Sequence, residues 1–186
     1  MGRPREFDPE EATRGAMDVF WRQGFKATNL PDLLSAMGLS RGSFYKAYGE
    51  KEAAYLAALD HYDKLNVSQV VAALDACDAG RAEACLSILF EGGASDRKGC
   101  FICNAMVEVA PDNPEVAAKA AAMADRLRGA IERVIDRYGS GPSPQNAQTA
   151  GLVLHLYFGY QAMGRAGHRS PDWRAQLTRL IRATEA

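Results

Sequence analysis

Apolar residues recur at helical spacing along the whole chain, and nowhere do they alternate with the two-residue period of a strand. Near the start, Ala12, Ala16, Val19 and Phe20 form one stripe. Asp8 is suited to cap that helix, Pro9 to open it, and Glu10-Glu11 to sit at the positive end of its dipole; Gly24 ends it. A short helix is predicted over about Pro31–Met37, with Leu33, Leu34 and Met37 on its apolar face. Gly38 follows where a left-handed φ is needed, and Leu39 plugs the gap. Ser40 then caps a further helix over Arg41–Tyr48. From Glu52 a long helix to about Ala79 carries Tyr55, Leu56, Leu59, Tyr62, Leu65, Val70 and Leu74.

Beyond Gly80 the same rhythm predicts a helix over Ala82–Phe90, a loop over 91–96, and a helix within Gly99–Val109 stopped at Ala110-Pro111. Asn113-Pro114 opens a long helix bearing Val116, Ala120, Met123, Leu127, Ile131, Val134 and Tyr138. After the loop Gly139–Pro144, a helix carries Leu152, Leu154, Leu156, Tyr157, Phe158, Tyr160 and Met163; Ser170-Pro171 opens the last, with Trp173, Leu177, Leu180 and Ile181. The expectation is an all-α protein of about nine helices, divided into an N-terminal unit (1–51) and a larger helical unit (52–186). The helix after Ser143-Pro144 is apolar on more than one side and needs cover on both flanks. One flank suits the core of its own subunit. The other, with the last helix, suits a second copy in a four-helix bundle, through Leu152, His155, Phe158, Trp173, Leu177 and Leu180.

Helix, glycine turn, helix is also the layout that sets a recognition helix in the DNA major groove. The first turn, Arg41-Gly42-Ser43, has no glutamate at its third position, which leaves N–H groups for phosphate. Arg41 and Lys46 can meet phosphate or guanine; Ser43, Tyr45 and Tyr48 can donate hydroxyl bonds; Lys51 is placed on the same side. Arg3 and Arg5 form a basic arm suited to a minor groove, or simply a frayed terminus. A plain helical hairpin with Phe44 and Tyr48 in its core fits the same letters.

Charge makes the case local. The chain is 47% hydrophobic and 24% charged with net charge -1, which argues against a protein that coats nucleic acid. Between Gly38 and Lys51, however, Arg41, Lys46 and Lys51 face only Glu50. No apolar run approaches the roughly 20 residues of a membrane span, no signal-peptide core follows the start, and Glu6 breaks a myristoylation motif. A cytoplasmic protein with no membrane partner is expected. There, four cysteines are expected as free thiols rather than a disulfide framework. Cys100 and Cys103 form a CxxC, but Cys77 and Cys85 do not supply the second pair that zinc needs, so no metal is expected. The CxxC cysteines are read as packing or pocket-lining residues, or as thiols responsive to oxidants or electrophiles. Gly99 puts Cys100 near a helix N-terminus, with Arg97 and Lys98 upstream, which favours its thiolate. His61, His155 and His168 are scattered and join no triad, so neither an enzyme nor a cofactor is expected.

Residues Phe7 to Leu56 resemble the N-terminal domain of TetR-type transcriptional regulators. The shared residues are Ala16, Phe20, Gly24-Phe25, Thr28, Gly38-Leu39-Ser40, Gly42-Ser43-Phe44-Tyr45, Tyr48 and Lys51-Glu52. Ala47 departs at a position where the family usually has histidine. Gly99-Cys100 to Asn104 is similar to a ligand-domain segment of one large TetR subgroup. The resemblance implies a homodimer on roughly palindromic double-stranded DNA, with Thr28, Ser40, Arg41, Gly42, Ser43, Tyr45, Lys46, Tyr48 and Lys51 at the DNA. It implies a repressor released when a small apolar effector moves the connecting helix. Phe90, Ile102, Cys103, Met106, Met123, Leu127, Tyr157, Tyr160 and Gln161 suit a pocket for that effector or a solid core, and the resemblance favours the pocket. Two rivals stand beside it: a thiol switch at Cys100/Cys103, and a helical dimerisation module that binds protein without DNA, against which Arg41, Lys46 and Lys51 count.

Overall fold

Side-chain caps and prolines set the helix starts in the computed structural model of the chain, which describes residues 7–91, 97–139, 141–168 and 170–185. Arg3, Arg5 and most of the expected loop at 91–96 lie outside the described residues. The Asp8 carboxylate accepts from the Glu10 N–H ahead of α1 (Pro9–Gln23), and Asn29 does the same for Asp32 at α2 (Leu30–Met37). The Ser40 hydroxyl caps α3 (Arg41–Tyr48). Next, α4 (Lys51–Tyr62) runs through a π-helical stretch (Asp63–Val67) into α5 (Ser68–Ala76) without a break. Two short pieces, α6 (Ala82–Leu86) and α7 (Ile88–Glu91), part at Ser87. The remainder is α8 (Phe101–Glu108), α9 (Pro114–Tyr138) capped by Asn113, α10 (Pro144–Arg165) capped by Ser143, and α11 (Trp173–Glu185). With α4–α5 taken as one rod and α6–α7 as one bent helix, the described residues form nine helices and no strand. None is long and apolar enough to cross a membrane.

The connecting rod belongs to two neighbourhoods. Its first half packs on α1, where Tyr55 meets Phe20 edge-on at 5.1 Å. Its second half lies along α9, where Arg133 forks onto Asp75 with two bonds of 2.9 Å. Arg137 takes the carbonyls of Cys77 (2.7 Å) and Asp75 (2.8 Å), satisfying the orphan acceptors at the end of α5. The helix therefore stops at Ala76, three residues short of the expected Ala79, because a neighbouring arginine supplies what another turn would have supplied. The π-helical stretch between the halves is the kind of defect that marks a functional bend.

Two expectations are corrected here. Cys77 and Cys85 are joined as a disulfide: the turn after α5, with Gly80 at φ 74, folds the chain back until their Cα atoms lie 5.7 Å apart. Trp173 and Leu177 are buried in their own subunit rather than on a dimer face, as is Ile181. Trp173 stacks on Phe90 at 4.8 Å. The apolar stripe of α11 is one-sided, and the body uses it up. On α10, Val153 and Leu154 are buried while Leu152 (49% exposed), His155 and Met163 (52% exposed) face out and Phe158 is half-buried. Leu180 is half-buried at the edge.

Candidate nucleic-acid interface

Helix α3 is held out from the body by its own short connections. Gly15 lets α1 and α2 touch: a Cβ there would lie 1.9 Å from the Ala36 carbonyl oxygen. Gly38, at φ 63 and ψ 31, closes α2 with its N–H on the Leu34 and Ser35 carbonyls and turns the chain into α3. Phe44 is the buried anchor; Tyr48 stacks on it at 5.7 Å and Tyr45 meets it edge-on at 5.6 Å.

The outer face then carries Arg41, Gly42, Tyr45 (50% exposed), Lys46 and Ala47. Among the described residues Arg41 and Lys46 are committed to no carboxylate, and the first turn holds no acid. A Cβ built on Gly42 meets nothing within 4 Å. The fold has no use for a glycine there, and an alanine would suit the helix better by about 1 kcal/mol. Its absent side chain leaves the exposed N-terminal turn open to something outside the chain. The Ser40 hydroxyl accepts from the Ser43 N–H at 3.2 Å and lies 2.9 Å from the Ser43 hydroxyl. One hydrogen joins the two serines, which leaves the other free for an outside acceptor.

Three residues expected at the DNA have partners within the chain. Thr28 is buried and donates its hydroxyl to the Gly24 carbonyl at 2.6 Å. Tyr48 lies 2.8 Å from the Thr13 hydroxyl, whose hydrogen goes to the Pro9 carbonyl; the tyrosine proton therefore goes to Thr13 and not to phosphate. Lys51 donates to the Thr28 carbonyl at 2.9 Å and sits 4.3 Å from the centre of the Phe25 ring. It braces α4 against the α1–α2 loop.

Behind this surface, α8 ties head to body. The Glu108 carboxylate accepts the N–H groups of Phe25 (3.0 Å) and Lys26 (2.7 Å) in the loop after α1. At the other end of α8, Trp21 donates to the Gly99 carbonyl (2.9 Å), and Arg165 of α10 donates to the carbonyls of Trp21 (3.0 Å) and Lys98 (2.9 Å). None of these ties was readable beforehand, since each joins residues far apart in sequence through a backbone group.

Cys100 caps α8 inside this junction. Its thiol lies 4.0 Å from the Tyr62 hydroxyl and close enough to Tyr157 for each to act on the other's ionisation, with Gln161 beside Tyr157. Burial pushes the Cys100 thiol up, more than the N–H groups of Cys103 and Ile102 pull it down. That overturns the expected reactive thiolate: the helix end is there, but water is not. Cys103 is half-buried and also raised, by burial and then by Cys100. Tyr62 and Tyr157 are raised well above their ordinary value, first by burial.

All four groups thus stay neutral in the fold where the unfolded chain would ionise. Stability should be intact below pH 9.0, the ordinary thiol value, and fall as pH rises past it and past 10.0, the ordinary tyrosine value. Urea midpoints measured from about pH 7.5 to about pH 10.5 check this; a flat profile would contradict it.

Of the expected effector residues, Phe90, Tyr157 and Tyr160 do meet, with ring centres 5.9 and 5.5 Å from Phe90. Cys103 and Gln161 join Tyr157. Ile102, Met123 and Leu127 are fully buried, and Met106 is partly so. A cleft of about 470 Å³ lies elsewhere, between Ala82, Tyr138, Ser143, Asn146 and Ile181, and none of the nine expected residues lines it. Among the described residues no three metal-binding side chains gather.

Known proteins are similar to this chain in sequence and in fold. A family profile described as "Bacterial regulatory proteins, tetR family" matches residues 13–58, from α1 into α4. YezE of Bacillus subtilis, an uncharacterised HTH-type transcriptional regulator, is 33% identical over 123 residues, which is 63% of this chain and 62% of that protein. The chain therefore spans less than two thirds of that relative. BdcR of Escherichia coli, an HTH-type transcriptional repressor, is 27% identical over 170 residues, covering 90% of this chain and 84% of that one. Among solved structures, a cysteine mutant of the TetR family regulator CifR, complexed with 26-base-pair operator DNA, superposes with a TM-score of 0.81 at 25% identity, over 97% of this chain and 99% of that chain.

Proposed function

The chain belongs to the TetR family of bacterial regulatory proteins, and on that premise we propose that it is a DNA-binding transcriptional repressor, a homodimer released from a roughly palindromic operator by a small, largely apolar effector. The observation that carries this reading is the outer face of α3: two cations with no carboxylate partner among the described residues flank a glycine the fold does not need. Arg41, Lys46, Tyr45 and the free hydroxyl of the Ser40–Ser43 pair are the groups assigned to DNA, with residues 1–51 as the DNA-reading unit and 52–186 as the body. The outward face of α10, with Leu152, His155 and Phe158, is assigned to the second subunit; two heads on one axis then require half-sites about one DNA turn or more apart. The effector is assigned to the space among Phe90, Cys103, Met106, Tyr157, Tyr160 and Gln161. It acts by favouring one arrangement of α8 and the connecting rod over another, since only differential affinity shifts such a balance. The relatives are regulators and not enzymes by name, and DNA in the cytoplasm is where this one would work.

Anisotropy of labelled duplexes flanking its own gene, paired with sedimentation, tests the reading. A dimer should bind, and Arg41→Ala should weaken binding by about 1–3 kcal/mol, roughly fivefold to more than a hundredfold. Gly42→Ala should split two measurements: the free protein gains about 0.5–1 kcal/mol of stability while DNA affinity falls. A monomer at micromolar concentration, or equal DNA binding by wild type and the Arg41→Ala/Lys46→Ala double variant, would overturn the proposal.

A further inference from the structure

Cys77 and Cys85 stand apart from every group the proposed function uses. Cys77 is the first residue beyond α5, half-buried beside the exposed turn 78–81; Cys85 is fully buried on α6. Their bond is not the only tie at this joint. Leu74, Ala82 and Leu86 bury apolar surface on both sides of it, and α9 already holds the end of α5 through Arg133 and Arg137. A cross-link between residues 8 apart also restrains the unfolded chain less than one closing a longer loop would. The bond does something else: it ties α6 to the end of the connecting rod.

From this placement we infer that Cys77 and Cys85 form a reversible thiol–disulfide site, opened by small thiols and closed by hydroperoxides, whose state frees or locks the joint between the connecting rod and α6. Opening starts at Cys77, the accessible partner. A thiolate attacks its sulfur, a new S–S bond forms there, and Cys85 leaves as a thiolate. The Tyr138 hydroxyl lies 3.7 Å from the Cys85 sulfur and also reaches the Cys77 carbonyl at 3.3 Å and the Asp78 carboxylate at 3.2 Å. It can turn its proton to the departing charge. A second small thiol then releases Cys77 and leaves as the small disulfide. In closing, the Cys77 thiolate attacks a hydroperoxide oxygen to give a sulfenic acid and an alcohol or water. The Cys85 thiol displaces the hydroxyl from that sulfur as water. Two electrons pass from the two thiols to the peroxide.

With the bond closed, α5, α6 and α9 form one block, and the π-helical stretch Asp63–Val67 is the first place where the rod can bend towards the head. With the bond open, only packing holds α6 to that block.

The test needs no DNA, so its failure is separate from failure of the proposed function. The full chain is treated with hydrogen peroxide or dithiothreitol under native conditions, alkylated, and mapped by mass spectrometry. Peroxide should leave Cys77 and Cys85 linked and unalkylated; dithiothreitol should make both reactive, Cys77 first. Native trypsin should cut after the exposed Arg81 several-fold faster in the reduced protein. Cys77→Ser, with its helical circular dichroism retained, should cut fast in either condition. The inference falls if both thiols stay reactive after peroxide, if the bond resists dithiothreitol in the native protein, or if cutting at Arg81 ignores the redox state.

Discussion

Gly15→Ala should destabilise the protein by about 3 kcal/mol or more, a fall of about 6–12 °C in Tm for a chain of this size. The added carbon would lie 1.9 Å from the Ala36 oxygen, 2.7 Å from its carbonyl carbon and 3.2 Å from the Met37 nitrogen. These are backbone atoms, so no rotamer change relieves the overlap. Helix α1 must instead back away from α2, loosening Ala12, Ala16, Leu33 and Met37, all of them buried. Better helix propensity returns only about 1 kcal/mol. Urea or thermal unfolding checks this, with Gly42→Ala as the control that has open space; an unchanged Tm for Gly15→Ala would refute the close contact.

What could be read from the sequence follows the range of the interactions involved. Asp8, Ser40, Asn113 and Ser143 bond N–H groups two or three residues away, so composition and spacing suffice to place their helices. Periodicity likewise yields the buried faces of α1, α2 and α9. It does not say what covers a face. Trp173 and Leu177 make the same stripe whether a partner or their own body lies against them, and here Phe90 lies against Trp173. Leu152 and Met163, on a helix apolar all round, are left outside.

Residue type alone does not show which side chains chosen for DNA a distant polar group of the chain also engages. Lys51 gives one of its donors to the Thr28 carbonyl, and Tyr48 gives its proton to Thr13. Arg41 and Lys46 have no such partner among the described residues. Cys100 shows the same limit in another form. Its helix end is local and legible; the burial that raises its thiol comes from the packing of the whole junction, and outweighs Tyr62 and Tyr157, on two other helices, which pull it down. For Cys77 and Cys85, the expectation of free thiols gave way to a turn that brings them together.

Glu108→Ala should cost about 2–3 kcal/mol and loosen the head before the body. The carboxylate accepts two backbone N–H groups, on Phe25 and Lys26, and the first is part-buried. Charge-assisted bonds of this kind contribute more than neutral ones, and a methyl group leaves both donors without a partner from the chain. Gly24 fits the same contact: at φ 90 it brings the loop so close that a Cβ would sit 2.8 Å from the carboxylate. The nearby Lys26–Asp112 pair, exposed at 3.6 Å, is too solvated to substitute. Glu108→Gln keeps one accepting oxygen but turns an amide donor towards the second N–H, so its loss should fall between wild type and alanine. Hydrogen exchange at the Phe25 and Lys26 amides separates this local tie from general destabilisation. Both amides should lose protection in Glu108→Ala while the amides of α9 keep theirs; equal protection at residues 25 and 26 in all three proteins would mean that α8 does not hold the head.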